Sequence, residues 1–213
     1  MTEDRWTAPH WDSAALVVID LQRDFLSGGL APIEGTDAVV PAVVELVESF
    51  RAAGRPVAHV VRLYRPSGED VDLVRRSASE EGWRAVAPGS EGAKVAAGVL
   101  PPGAEVDDDA LLAGEVLELG PREVILAKPR WSAFHRTRLE EWLQAEGADT
   151  VVVAGCNLPN CPRATLFDAS ERDLRAVLVA DAVSRSSPER LADLEAIGVR
   201  LASLAEVRAA LRS

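Results

Sequence analysis

Two cysteines stand five positions apart in a chain of 213 residues that has no others. They lie in the segment GCNLPNCPRAT, residues 155–165. The spacing fits neither a CxxC redox motif nor half of a zinc site, and two cysteines do not make a disulfide framework. Asn160 is a favourable N-cap and Pro162 is tolerated in a first turn, so Cys161 is predicted to begin a helix, where backbone N–H groups and the helix dipole stabilise a thiolate. The pattern indicates that Cys161 is a nucleophile and Cys156 a bystander.

Two charged residues complete a pattern in which reactive side chains follow apolar runs. Asp20 ends the first run, Lys128 follows residues 123–127, and Cys161 comes shortly after residues 150–154. Ligands of open parallel sheets bind outside the carboxyl ends of the strands, so a carboxylate, an ammonium and a thiol are expected to meet at one edge. Each residue also has a simpler interpretation. Asp20 is then a turn former, Lys128 is solvated at a strand exit, and Cys161 is inert packing.

The elements that must position these residues alternate along the chain. Short β-branched runs are followed by stretches with helical periodicity, a pattern typical of βαβ units, which predicts an α/β fold with a parallel sheet. Several of the helical stretches end at glycine, for example at Gly54 and Gly147. The predicted strands are residues 15–19, 56–62, 123–127, 150–154, 175–180 and a short edge strand at 199–202.

Residues 63–121 break this alternation with glycine, proline and charged residues, while the chain as a whole, residues 1–213, has the length of one domain. One interpretation is a solvated excursion with a short helix around 71–76 and a strand near 116–119. The other is a lid or an oligomer contact, because long irregular segments in compact domains often carry function. The sequence leaves both open.

Composition limits the partners. The net charge of −11 argues against binding to nucleic acid or to an anionic membrane. No run of apolar residues is long enough for a membrane-spanning helix, and the first residues lack the pattern of a secretory signal, so a soluble cytoplasmic protein is predicted. The histidines are scattered without ligand spacing, which disfavours a metal site, and His59 is interpreted as a core histidine within a strand.

Ordered motifs across the chain are similar to those of the isochorismatase-like cysteine hydrolase superfamily. This group includes nicotinamidases, N-carbamoylsarcosine amidases, ureidoacrylate and biuret hydrolases, and isochorismatases. The resemblance extends from about residue 12 to residue 201. It rests on VIDLQRDF at 18–25, KPRWSAF at 128–134, Gly155-x5-Cys161-x3-Thr165-x2-Asp168-Ala169, and Asp181-Ala182.

The resemblance implies a doubly wound, mostly parallel six-stranded sheet with helices on both faces, and a catalytic triad. Cys161 is then the nucleophile that forms a thioester, Asp20 its general base, and Lys128 the cation that orients the pair. The backbone N–H groups of Asn157 and Cys161 form the oxyanion hole, next to a candidate cis peptide bond between Cys156 and Asn157. The resemblance also implies a homo-oligomer, either a dimer or a tetramer.

Individual residues indicate which activities within this superfamily fit the chain. Metal-dependent nicotinamidases carry an Asp-x-His pair just after the second strand, where this chain has Arg62-Leu-Tyr64, so we predict no catalytic metal and no cofactor. Isochorismatases proper lack the nucleophilic cysteine, so Cys161 favours cleavage of an amide, carbamoyl or ureide C–N bond. The alternatives are hydrolysis of a non-amide substrate, a non-catalytic binding protein, and a thiol redox sensor that uses Cys156 with Cys161.

A small-molecule substrate is expected, and the residues near the proposed crevice suggest its charge. Arginine is suited to bidentate recognition of carboxylates, so a small anionic amide would fit Arg62, Tyr64 and Arg130. The simpler interpretation is that these arginines only offset an acidic surface. Further apolar or amide contacts are predicted from Gln22, Phe25 and Trp131, which are otherwise explained as core residues.

Overall fold

The computed structural model describes residues 4–212, which contain one seven-stranded sheet. The family resemblance implied six strands. The extra strand, β3, pairs antiparallel with the strand that follows it and forms one edge of the sheet, while the remaining pairs are parallel. A tight hairpin adds this edge without a crossover helix. The strands are β1 Ala14–Ile19, β2 Val57–Val61, β3 Val116–Gly120, β4 Glu123–Ala127, β5 Thr150–Gly155, β6 Arg175–Val183 and β7 Arg200–Ala202, in the spatial order β3-β4-β2-β1-β5-β6-β7.

Strand β1 lies at the centre of the sheet and is buried along its whole length. Its continuous apolar sequence is typical of a parallel strand that is covered on both faces. The register pairs Ile19 with Val60 of β2 and with Gly155 of β5, and Val61 with Ala127 of β4. The carboxyl ends of four parallel strands therefore reach the same edge of the sheet at nearly the same level.

Helices cover both faces of the sheet, which confirms the doubly wound α/β prediction. The core on one face includes buried residues from α4, α5 and α6, and the core on the other includes residues from α1 and α7. No helix in residues 4–212 combines the length and the apolar character needed to cross a membrane. The helices are α1 Thr36–Ala52, α2 Arg76–Glu80, α3 Asp108–Leu112, α4 Leu139–Ala145, α5 Cys161–Ser170, α6 Pro188–Glu195 and α7 Leu204–Ala210.

The irregular segment between β2 and β3 contains only short elements. A 3-10 turn at Leu73–Arg75 leads into α2, and the predicted strand near 116–119 is β3. Part of the segment forms its own small apolar cluster, in which Tyr64, Val71 and Val86 pack with Phe25 and Trp83. This cluster lies next to the carboxyl edge of the sheet, because Phe25, Tyr64 and Trp83 also line a cavity at that edge.

Candidate active site

The carboxylate, the ammonium and the thiol singled out in the sequence lie together at the carboxyl edge of the sheet. Lys128 Nζ donates a hydrogen bond to Asp20 Oδ2 at 2.7 Å. Cys161 lines the same cavity as Asp20, and the charges of Asp20 and Lys128 act in opposite directions on the pKa of its thiol. All three are buried, with exposed fractions of 4% for Asp20, 1% for Lys128 and 6% for Cys161.

The strand ladders fix the backbone of two of these residues. The Asp20 N–H donates to the Val60 carbonyl, and the Lys128 N–H donates to the Val61 carbonyl, so the parallel ladder continues one residue beyond each strand. Asp20 has a φ of 50°, in the left-handed region that few non-glycine residues adopt. This conformation turns the chain sharply out of β1 while the residue stays attached to the sheet.

Close contact between β1 and β5 brings the cysteine loop to Asp20. Gly155 has a φ of +115°, and a Cβ at this position would lie 2.2 Å from the Ile19 carbonyl oxygen, so only glycine fits. The Cys156 N–H then donates to the same Ile19 carbonyl. The chain turns through the Cys156–Asn157 peptide bond, which is cis at the position that the family resemblance implied.

The environment of Cys161 favours the protonated thiol over the thiolate that the helix start alone predicted. Burial, together with the charge of Asp20, raises the pKa of Cys161, and the opposing charges of Lys128 and Arg62 do not compensate. Asn160 occupies the N-cap position and the helix begins at Cys161, as predicted, but the Asn160 side chain makes no capping hydrogen bond. Pro162 occupies the second helical position, where it offers no N–H to a capping side chain.

Two buried oxygen atoms near the thiol have no hydrogen-bond partner within residues 4–212. They are Oδ1 of Asp20 and Oδ1 of Asn157. Buried polar atoms are nearly always hydrogen-bonded, so two unpaired acceptors in the wall of one cavity indicate a place for donor groups. Asp20 Oδ1 is the oxygen that Lys128 leaves free, and it can accept the thiol proton of Cys161.

A narrow, partly open cavity of about 30 Å³ adjoins Cys161. This space holds about one water molecule. Its outer wall comes from the irregular segment, where the rings of Tyr64 and Trp83 pack at a centroid distance of 5.8 Å. The cavity is lined by Asp20, Phe25, Ile33, Arg62, Tyr64, Arg75, Trp83, Cys156, Asn157, Asn160 and Cys161.

Three of the six predicted substrate contacts, Phe25, Arg62 and Tyr64, line this cavity. The Arg62 guanidinium is already engaged, because Nη2 donates to the Arg130 carbonyl at 2.6 Å and approaches Cys161 Sγ at 3.8 Å. The carboxylate of Asp20 contributes to raising the pKa of Arg62 against the effect of burial. Arg62 therefore places a fixed positive charge next to the nucleophile.

The other three predicted contacts lie outside the cavity wall. Gln22 is fully buried, and its amide bridges the main chain of Arg62 and the Ala93 carbonyl. The Arg130 side chain donates to main-chain carbonyls. Trp131 is 40% exposed and borders a separate, open depression. A substrate reaches these residues only if it extends beyond the cavity.

Sequence reasoning missed three residues of the cavity wall, Ile33, Arg75 and Trp83. Arg75 and Trp83 belong to the irregular segment, where no periodicity marks which side chains point inward. The one useful signal was the small group of apolar and aromatic residues in an otherwise polar stretch. Val71 and Trp83 are members of that group, and both are found in the apolar cluster next to the cavity.

The second cysteine has a different environment. Cys156 is 1% exposed, and its sulfur accepts a hydrogen bond from Thr36 Oγ1 at 3.5 Å. Burial raises the pKa of Cys156 to about 11. No group of three or more His, Cys, Asp or Glu side chains in the described part of the chain could hold a metal ion.

A family model, related sequences and a solved structure all associate this chain with the same family. Residues 14–207 match the family model of the Isochorismatase domain. A protein of Arabidopsis thaliana, named a probable inactive nicotinamidase, is 34% identical over 93% of this chain and 96% of its own length. A ureidoacrylate amidohydrolase of Methylobacterium radiotolerans is 29% identical over 83% of this chain and 69% of its own. The crystal structure of an isochorismatase family protein from Desulfovibrio vulgaris has a TM-score of 0.80 at 33% identity, covering 94% of this chain and 99% of the other.

Proposed function

This chain belongs to the isochorismatase family, as its motifs indicated, and we propose that it is a cysteine hydrolase that cleaves the C–N bond of a small amide, carbamoyl compound or ureide. One observation carries the proposal. The buried thiol of Cys161 lies near the carboxylate of Asp20, which has one oxygen bonded to the Lys128 ammonium and one oxygen free. A nucleophile, an adjacent base and a group that orients the base are the parts that covalent catalysis requires.

The proposed reaction begins with proton transfer from Cys161 to Asp20 Oδ1. The sulfur then attacks the substrate carbonyl carbon, and the oxyanion accepts hydrogen bonds from the backbone N–H groups of Asn157 and Cys161. As the C–N bond breaks, the proton on Asp20 passes to the leaving nitrogen, which departs as ammonia or an amine. Water, deprotonated by Asp20, hydrolyses the thioester, and the proton returns to the thiol.

The electrostatics of the site support this sequence. Because burial raises the pKa of Cys161, the thiol keeps its proton until a substrate is present. Lys128 and Arg62 stabilise the thiolate that forms during attack, and Lys128 also holds Asp20 in position through the 2.7 Å hydrogen bond. A protected thiol reacts with its bound substrate rather than with solutes in general.

The unpaired oxygen of Asn157 favours a nitrogen-containing substrate over an ether. This oxygen is buried, lines the cavity and lacks a donor in residues 4–212. An amide, a carbamoyl group or a ureide carries N–H donors that would satisfy it, whereas an enol ether has none at the scissile oxygen. The ureidoacrylate amidohydrolase among the relatives acts on such a compound.

Substrate entry requires movement of the outer wall. A cavity of about 30 Å³ is too small for an amide with several heavy atoms. The wall residues Tyr64, Arg75 and Trp83 come from the segment after β2, so we propose that this segment opens as a lid. Such closure excludes water from the reacting groups once the substrate is bound.

A screen for ammonia release tests the proposed activity. The substrates are nicotinamide, N-carbamoyl amino acids, biuret, ureidoacrylate and maleamate, and the variants are Cys161→Ala and, as a matched control, Cys156→Ala. We expect at least one substrate to be cleaved, the Cys161→Ala variant to lose activity by about 10³-fold or more, and Cys156→Ala to retain it. An acyl adduct on Cys161 in acid-quenched samples, seen by mass spectrometry, would identify the thioester.

The same screen separates the competing functions. Activity that survives in Cys161→Ala would contradict the cysteine mechanism. A wild-type protein that binds ligands but cleaves none would place the chain with non-catalytic members, and the Arabidopsis relative is named a probable inactive nicotinamidase. A loss of two hydrogens on treatment with peroxide would instead indicate a disulfide between Cys156 and Cys161 and a redox role.

A further inference from the structure

Three arginines surround a single buried carboxylate beside the cavity. Asp72 is 5% exposed and accepts hydrogen bonds from Arg75 Nη1 at 2.7 Å and from the Tyr64 hydroxyl at 2.6 Å. Arg62 Nη1 also donates to it at 3.2 Å. Arg130 Nε lies 3.7 Å from the other carboxylate oxygen. One carboxylate does not neutralise three guanidinium groups, so this cluster carries excess positive charge in a protein whose net charge is −11.

The three arginines differ in how much of each is available to a ligand. Arg62 is buried, and both of its terminal nitrogens are engaged with protein groups. Arg130 does not line the cavity. Arg75 does line it, its side chain is 33% exposed, and within residues 4–212 its hydrogen bonding is confined to Nη1, which contacts Asp72. The Nε and Nη2 donors of Arg75 therefore remain for a ligand.

We propose that Arg75 determines substrate specificity by binding a carboxylate group of the substrate, and that Asp72 positions its guanidinium for this contact. The proposal rests on the proposed hydrolase function and narrows the substrate class to small amides, carbamoyl compounds or ureides that also carry a carboxylate. Two adjacent N–H donors of a guanidinium match the two oxygens of a carboxylate. A neutral substrate cannot form this charged, two-point contact.

The position of Arg75 in the chain connects this recognition to the lid. Arg75 ends the 3-10 turn Leu73–Arg75, in the same segment that supplies Tyr64 and Trp83 to the outer wall. A carboxylate bound to Arg75 would therefore hold the segment against the site while the thiol reacts. A neutral analogue would lack this contact, so the main difference should appear in binding and in KM rather than in kcat.

Matched pairs of substrates test the proposal. Each pair consists of a carboxylate and the neutral amide of the same skeleton: maleamate with maleamide, succinamate with succinamide, and N-carbamoylglycine with N-carbamoylglycinamide. KM and kcat are measured for the wild type, Arg75→Met, Arg75→Lys and the control Arg76→Met. Arg76 is the adjacent arginine, is exposed and donates to main-chain carbonyls outside the cavity, so its replacement makes the same charge change elsewhere.

We expect the wild type to prefer the carboxylate member of the best pair by at least 10-fold in kcat/KM. Arg75→Met should raise KM for that member about 10-fold or more, with little change in kcat and little change for the neutral member. Arg75→Lys should restore part of the loss, and Arg76→Met should behave as the wild type. Asp72 keeps its bonds to Arg62 and Tyr64 in Arg75→Met, so the variant should fold, which a thermal melt checks.

A binding measurement separates this proposal from the proposed function. Succinate and malonate, compared with chloride at equal ionic strength, should raise the melting temperature of the wild type and of Cys161→Ala but not of Arg75→Met. If no amide is cleaved but this Arg75-dependent stabilisation is seen, the hydrolase function fails and the anion site stands. Equal losses on both members of a pair, or dicarboxylate binding that Arg75→Met leaves unchanged, would overturn the role of Arg75.

Discussion

Two buried ionic clusters lie on the same sheet and use similar groups, and one of them faces the cavity beside Cys161. At the carboxyl edge, Asp20 pairs with Lys128. In the body of the sheet, Glu123 accepts hydrogen bonds from Arg51 of α1 at 2.6 and 2.8 Å and contacts His59 Nε2 at 2.7 Å. The two carboxylates are equally buried, since Asp20 and Glu123 each have an exposed fraction of 4%.

The clusters differ in whether the carboxylate is saturated, that is, whether both of its oxygens have hydrogen-bond partners. Both oxygens of Glu123 have partners, and although burial opposes it, the hydrogen bonds from Arg51 and His59 lower the pKa of Glu123 to about 2. Asp20 has one oxygen bonded to Lys128 and one without a partner in residues 4–212. A saturated carboxylate stabilises the fold, whereas one with a free oxygen next to a thiol can accept a proton.

Position along the strands accounts for this difference. Glu123 begins β4 and His59 lies within β2, where both are buried and Arg51 of α1 contacts Glu123. Asp20 and Lys128 each stand one residue beyond a strand, where the chain leaves the sheet and a cavity begins. Burial of an ionic pair is therefore a weak sign of catalysis, and burial at the carboxyl end of a parallel strand is a stronger one.

Replacing each carboxylate by its amide should separate the two clusters most clearly. Asp20→Asn removes the proton acceptor, so kcat should fall by about 10²- to 10⁴-fold with the protein still folded. Glu123→Gln should leave kcat within about threefold, because Glu123 is remote from the thiol, but should lower the free energy of unfolding by about 3 kcal/mol. Steady-state kinetics and urea unfolding of both variants give the two measurements. A Glu123→Gln variant with full stability and no activity would contradict the assignment of a structural role to Glu123 and a catalytic role to Asp20.

The pH dependence of stability should come from the saturated cluster. The pKa of Glu123 in the folded state, about 2, lies below its ordinary value near 4.5, so the unfolded chain binds the proton first as the pH falls. The resulting stabilisation is fully present above about pH 4.5 and is lost as the pH falls towards 2, by up to about 3 kcal/mol. The difference in unfolding free energy between wild type and Glu123→Gln should shrink over this range. A constant difference would contradict the assignment.

The same distinction explains what could be predicted from the sequence. The apolar runs predicted the parallel strands, and the rule that ligands bind at the carboxyl ends of such strands was enough to select Asp20, Lys128 and Cys161. His59 was expected in the core, where it is found at 1% exposure. These inferences succeed because each depends on local sequence and one general rule of topology.

The failures involve contacts between distant parts of the chain. The predicted thiolate followed from the helix start alone, whereas burial and the charge of Asp20, which no local pattern shows, raise the pKa of Cys161. Arg75 lines the cavity because Asp72 holds it, and Asp72 is buried because Arg62 and Tyr64 meet it from the end of β2. A strand near 116–119 was predicted, but its antiparallel pairing with β4 at the edge of the sheet is not indicated by the alternating βαβ pattern.

The two cysteines test whether burial alone makes a group reactive, and the effect expected in this test is the smallest. Both are buried, burial raises the pKa of both thiols, and both line the cavity. They differ in their contacts, because Cys156 Sγ accepts a hydrogen bond from Thr36 Oγ1, whereas the Arg62 guanidinium approaches Cys161 Sγ at 3.8 Å. If burial near Asp20 were sufficient for reactivity, the two would be interchangeable. We expect Cys156→Ala to change kcat less than twofold and to cost about 1 kcal/mol of stability, since a small buried side chain is lost. Measuring kcat and urea unfolding together checks this, and a large loss of kcat in a stable Cys156→Ala protein would show that the second thiol takes part in the reaction.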